Sequence, residues 1–169
     1  MSSHVVRSLY SALGGSCAIG LALLLAGPGM SPFLLGSLGA STIILFVLTE
    51  SPAAQPRALL GGHLSAAFIG IACQQWLGDA LWVYALALGL SLAFMLMMRV
   101  VHPPAGANAL IMIYQHAGWS ALLQPVLIGV LSLGLVTFLW SRLHPAQKPY
   151  PLAWNKPSPS GEDWGNWRT

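Results

Sequence analysis

The sequence predicts an all-α polytopic membrane protein, and three observations carry that prediction. Hydrophobic residues make up 56% of the 169 residues, whereas Asp, Glu, Lys and Arg together make up 7%. A soluble domain uses roughly 25% charged residues to cover its surface. The apolar residues fall into six blocks separated by Pro, Gly or charged positions. The basic residues recur after every second block, as in a chain that crosses a bilayer repeatedly and keeps its basic loops on one side. Other classes fit poorly. The seven Lys and Arg are scattered, so no nucleic-acid surface is expected. Cys17 and Cys73 lie inside apolar blocks, where they act as small hydrophobes rather than as a disulfide framework.

The first block, residues 9–27, is stopped by Pro28 and is long enough to span, since a crossing takes about 20 residues. Arg7 before it resembles the start of a signal peptide, but "LLLAGPGMSPF" holds no Ala-x-Ala site, so the segment is read as retained. The second block, 33–49, is slightly short. The third, 58–77, and fourth, 80–98, are full length. The fifth, 104–116, is clearly short and opens on a double proline. The sixth, 119–140, is long again. The fold is therefore six helical segments, four long and two short, the short ones either spanning or re-entrant. Charge arbitrates. With six crossings and the N-terminus inside, Arg7, Arg57, Arg99, Arg142, Lys148, Lys156 and Arg168 all lie inside. With the short segments re-entrant, Arg57 and Arg99 move outside, so six crossings agree better with the positive-inside bias. The expected location is a bacterial inner (plasma) membrane, multi-pass, with both termini cytoplasmic. The membrane domain covers residues 8–140. Residues 141–169 form a Pro/Trp-rich tail in which "NKPSPSGEDWG" reads as disordered, while Trp154, Trp164 and Trp167 suit the lipid interface.

Shifting the chain by 67 residues against itself aligns Gly39 and Ala40 with Gly106 and Ala107, Ser41 with Asn108, and "LGGHLS" with "LIGVLS". The matches divide the domain into a repeat over about 9–77 and another over about 78–140. Each match is cheap in so apolar a chain, and coincidence of composition is the competing reading. Three segments per repeat is an odd number, so the second repeat would be inverted, as in many transporters. Short, Gly/Pro-interrupted segments at equivalent places then mark the binding site. That places Gly39, Ala40, Ser41 and Thr42 opposite Gly106, Ala107 and Asn108. The expectation is two short helices whose N-termini converge and offer unpaired N–H groups to a small anion. Ser37, Ser41, Thr42 and Asn108 add neutral donors, which suit an anion that must also be released. Plain helix packing through small residues accounts for the same residues without a ligand.

His63, after Gly61 and Gly62, is a rare ionisable residue at membrane depth, suited to substrate binding or proton relay, or simply to a bond with a carbonyl. Arg57 and Arg99 sit at inner membrane edges, as anion-attracting mouths or as topology anchors; Glu50 is positioned to pair with Arg57. Pro103 and Pro104 fix the start of segment five and force His102 towards an extended backbone, where it gates, binds or caps. The histidine spacings show no metal site, and no cofactor is implied. Small residues recur every four positions at Gly62, Ala66 and Gly70 and at Ala85, Gly89 and Ala93, giving faces for close contact within the monomer or in a homodimer.

Three stretches in order, "FLLGSLGASTIILF" (33–46), "SPAAQPRALLGGHLSA" (51–66) and "HPPAGANAL" (102–110), make the chain resemble the HPP family of integral membrane proteins, named after the tripeptide at residues 102–104. The resemblance covers about residues 8–140. Members from cyanobacteria and chloroplasts are associated with nitrite transport, so the resemblance implies a permease for nitrite or a similar small inorganic anion. It also implies four membrane helices, against the six expected from charge. Some relatives add a soluble regulatory domain, which this sequence lacks.

The functional expectation is transmembrane transport of a small monovalent anion, with protons as a candidate coupling ion and membrane lipid as the surroundings. A passive anion channel and a non-transporting scaffold or assembly protein are the alternatives. An enzyme is not expected, because Glu50 and Asp79 fall on opposite sides and no nucleophile or metal cluster accompanies them.

Overall fold

The computed structural model describes residues 3–26, 32–143 and 148–160, with the backbone alone for Ser3 and residues 32–35. The described residues hold six α-helices and no strand: α1 (Ser3–Ala26), α2 (Pro32–Val47), α3 (Pro56–Leu77), α4 (Leu81–Met98), α5 (Gly106–Tyr114) and α6 (Ile128–Trp140). A 3-10 turn and a π turn over 119–127 lead into α6, with the backbone kinked at Gln124, so the sixth apolar stretch is continuous but not straight. Among the described residues, four stretches are long and apolar enough to span: His4–Ala26, Pro56–Leu77, Leu81–Met98 and Trp119–Trp140.

The helices alternate in direction. Tyr10 at the start of α1 exchanges hydrogen bonds with Trp140 at the end of α6, and Gln124 before α6 bonds the Ala26 carbonyl at the end of α1. Gly14 and Gly15 of α1 face Phe46 and Thr42 of α2, which makes that pair antiparallel.

The fifth stretch crosses, though little of it is α-helix. At one end Arg57 reaches the Met98 carbonyl; at the other, Gln74 meets His116 Nδ1 at 3.0 Å. Arg57 and Gln74 are separated by about 25 Å along α3 at 1.5 Å per residue. The nine-residue α5 covers about 13 Å of that. Residues 99–105 supply the remainder as extended chain and a 3-10 turn at Pro103–Ala105. The described residues thus pass six times between the two ends of the bundle, and the shortness of segment five reflects a broken crossing rather than a re-entrant one.

α3 is the most enclosed of the four long spans, with 61% of its apolar window buried against 22% for α1 and for α4 and 33% for 119–140. It is able to pack closely because its small residues face the broken crossing. A Cβ on Gly70 would collide with the Ala109 backbone, and one on Gly62 would lie 2.9 Å from His102 Cβ. The Gly62, Ala66, Gly70 seam is therefore used inside the monomer. Ala85, Gly89 and Ala93 on α4 are exposed.

The tail departs from expectation. Residues 148–160 form an ordered strap over the basic end of the bundle. Gln55 Oε1 accepts the N–H groups of Leu152 and Ala153, Arg57 donates to Asn155 Oδ1, Ser158 N–H donates to the Arg99 carbonyl, Arg99 Nε donates to the Ser158 carbonyl, and Val101 N–H donates to Ser158 Oγ. Short Pro-rich chain is held here by buried polar anchors, a tertiary effect that composition does not reveal. Residues 161–169, including Trp164 and Trp167, lie outside the described residues. Glu50 pairs with Lys148 at 2.8 Å rather than with Arg57, whose guanidinium is engaged by the tail and α4.

Candidate functional site

The polar centre of the molecule is built where the broken crossing meets α2 and α3. Pro103 and Pro104 occupy the first positions of the 3-10 turn, and the residue before a proline is pushed into extended space. His102 accordingly has φ −131° and ψ 98°, which sends its ring inward under Gly62. His63 projects from α3 one position further on. Ser41 projects from the middle of α2 and Asn108 from the first turn of α5. Ser41, His63 and His102 are fully buried and Asn108 is 1% exposed.

These four side chains form one chain of hydrogen bonds. Ser41 Oγ lies 2.9 Å from His63 Nε2 and 2.8 Å from His102 Nε2. His102 Nδ1 lies 2.7 Å from the Ala53 carbonyl, and Asn108 Nδ2 lies 2.9 Å from His63 Nδ1. The partners fix the proton positions. A carbonyl only accepts, so His102 donates from Nδ1 and its Nε2 is an acceptor in the neutral ring. Asn108 Nδ2 also donates to the His63 carbonyl at 3.3 Å, which orients the NH₂ group towards His63. His63 Nδ1 therefore accepts, and its Nε2–H donates to Ser41. The rings stand 5.0 Å apart, centre to centre, with Ser41 bridging them. Ser37 ties the same region together by donating to the Pro104 carbonyl at 2.8 Å.

The expected pair of facing helix N-termini does not form. α2 runs unbroken from Pro32, so residues 39–42 are interior to a helix, with Ser41 about 13 Å along it from Pro32. Nothing in residues 32–47 breaks a membrane helix, and Gly36 and Gly39 are tolerated there. Ala40 is exposed, Gly39 is half-buried, and Thr42 bonds the Gly39 carbonyl of its own helix. On the other side, Pro103 and Pro104 have no N–H, Ala105 N–H bonds the His102 carbonyl, and Gly106 N–H bonds the turn behind it. Donor capacity in this site belongs to side chains.

Gly106 and Ala107 are half-buried at the start of α5, and Gly106 approaches Leu88 of α4. Pro103 is exposed and Pro104 half-buried. Arg57 and Arg99 lie away from the cluster at the basic end, Arg57 holding Asn155 and the Met98 carbonyl and Arg99 holding Ser158. Sequence reasoning missed the Ala53 carbonyl and the two anchors of the strap, Gln55 just before α3 and Ser158 within the strap itself. Only Gln55 left a signal, a polar residue just before Pro56 that is 4% exposed and makes four hydrogen bonds.

A bundle of apolar helices enclosing a buried polar cluster at a broken crossing defines a polytopic membrane protein. The transmembrane region of the HPP family matches residues 2–151, and the chain belongs to that family. It is similar to two transmembrane proteins of Dictyostelium discoideum. One is 37% identical over 129 residues, covering 72% of this chain and 45% of the relative. The other is 34% identical over 130 residues, covering 72% and 42%. The chain thus spans less than half the length of these curated relatives. No solved structure matches it.

Proposed function

We propose that the protein carries a small monovalent anion, nitrite foremost, across a bacterial inner membrane, through the Ser41, His63, His102 and Asn108 cluster. The observation that carries this reading is the cluster itself: four polar side chains fully or almost fully buried, where the interrupted fifth crossing meets α2 and α3. Ionisable and amide side chains at such depth are costly and serve a pathway more often than a scaffold. Gaps in membrane helices are tolerated where they line a cavity or a binding place. The donors are neutral, as suits a passenger that must also leave. Nitrite is the anion suggested by the resemblance to cyanobacterial and chloroplast members.

Arg57 and Arg99 lie at the basic end, where they raise the local anion concentration beside the strap. By the positive-inside bias that end is cytoplasmic, and both termini with it. The exposed Ala85, Gly89 and Ala93 stripe favours a second reading, a scaffold that works by helix association. Nitrite uptake into proteoliposomes separates them. Protein-dependent flux that Ser41→Ala and Asn108→Ala abolish, in protein that remains folded, is the expected result. Equal flux in both variants sinks the assigned site, and no flux of nitrite, nitrate or formate sinks transport.

A further inference from the structure

Around Ser41 the hydrogen bonds have one acceptor too many. Ser41 has a single hydroxyl proton, yet two acceptors lie within reach of it: the Ser37 carbonyl at 2.9 Å and His102 Nε2 at 2.8 Å. The hydroxyl oxygen has two lone pairs, and His63 Nε2–H fills only one. Adding one proton at His102 Nε2 satisfies Ser41 and both histidines, and leaves Asn108 Oδ1 as the buried acceptor of the cluster without a partner. His102 then donates to the second lone pair of Ser41 Oγ, Ser41 donates to Ser37, and the Ala53 and His63 contacts stay as they are. The site is therefore shaped for one proton beyond the neutral state.

That proton brings a positive charge into a buried core with nothing to balance it. α2 and α5 carry no charged residue, and the only one on α3 is Arg57. Arg57 is held by Asn155 and the Met98 carbonyl, and Glu50, beside the 51–55 turn, is held by Lys148. Asp79 sits at the far end against His116. Apart from the two histidines, the titratable groups on these elements are Cys73 and Tyr114, both towards that far end. A buried, unpaired cation is expensive. The missing partner has to be a single negative charge supplied by the ligand.

We propose that the site binds one proton and one monovalent anion together, the proton on His102 Nε2 and the anion beside the resulting imidazolium. This rests on the transport reading above and gives it a coupling ion. The pair is electrically neutral, so neither member enters the core at the full cost of an isolated charge. Asn108, whose N–H to the His63 carbonyl is the longest bond of the cluster, is the donor most easily turned to the anion.

The test is nitrogen NMR of the full-length protein labelled with ¹⁵N-histidine, in micelles near neutral pH, with His63→Gln and His102→Gln variants to assign signals. Without ligand, His102 is expected as the Nδ1–H tautomer and His63 as the Nε2–H tautomer. Saturating sodium nitrite should convert His102 alone to the imidazolium, while sodium sulfate leaves it neutral. Proteoliposome flux is measured on the same preparation. Nitrite flux with His102 neutral throughout overturns the pairing and leaves transport standing. Neither conversion nor flux with nitrite, nitrate or formate overturns both. Conversion by nitrite in protein that shows no flux upholds the paired site and removes its role in transport.

Discussion

Replacing Ser41 with alanine tests the bridging role directly. The substitution strands two buried ring nitrogens, the His63 Nε2 donor and the His102 Nε2 acceptor. Each buried group left without a partner costs about 1–3 kcal/mol, so the upper range is about 6 kcal/mol. Side chains in membrane bundles re-pair on loss of a partner, and the average measured bond there is about 0.6 kcal/mol. We therefore expect a loss of about 2 kcal/mol, roughly thirtyfold in the unfolding equilibrium. Ser91 is the matched control. It is equally buried, but its hydroxyl bonds only the Ala87 carbonyl one turn back in its own helix, at 2.7 Å. Ser91→Ala removes the same atoms and makes the same change in helix propensity without stranding a partner, so it should cost under about 0.5 kcal/mol. Unfolding in mixed micelles titrated with SDS, followed by circular dichroism, reads both. If the two variants unfold within about 0.5 kcal/mol of each other, Ser41 is not the bridge described.

Three further predictions concern other parts of the molecule. Gly70→Ala drives a methyl group into the Ala109 backbone, whose Cα would stand 2.8 Å away, and should cost about 1–3 kcal/mol, whereas Gly89→Ala meets no atom within 4 Å and should be neutral or better, by the same SDS titration. Gln55→Ala removes the acceptor for Leu152 and Ala153 and should speed their amide exchange and proteolysis of the strap, while exchange in α3 stays slow. The Tyr150 phenol, buried without a hydroxyl partner, has its pKa pushed up by burial from the ordinary value of 10.0. A released strap ionises there and a docked one does not, so docking keeps its full strength below pH 10 and weakens as pH rises above it. Tyr150→Phe should stay docked at pH 11, as judged by proteolysis; release at the same pH as wild type would show that the phenol is not responsible.

The crossings were legible because they depend on local signals. Apolar blocks of helix length and prolines at their edges mark the six helical segments without tertiary information, and basic residues in alternate loops favour six crossings while leaving re-entry of the two short segments open. The extended backbone at His102 also follows from its neighbour, since Pro103 restricts it sterically. The contacts inside the site were only half legible. His63 and Asn108 stand out as polar residues in apolar helices, whereas the contact of His102 with Ser41 joins positions 61 apart in sequence and depends on how deeply residues 99–105 dip. Gly39 and Ala40 misled for the opposite reason. A small-residue pair reads the same whether it ends a helix or lets one pass close to a neighbour. The strap was illegible because its order comes from Gln55, Arg57 and Arg99, all remote from it in sequence.

The placement of charge has an electrical consequence. Between the level of Arg57 and Arg99 and that of Asp79 and His116, the crossings carry no charged side chain. A membrane potential does about 2.3 kcal/mol of work per elementary charge per 100 mV, and here it finds no fixed charge on which to act. Rearrangement of the empty protein should therefore proceed at the same rate at any voltage and produce no gating current. A voltage dependence seen during turnover would be a property of the passenger, which makes electrophysiology a direct count of the net charge carried in each cycle.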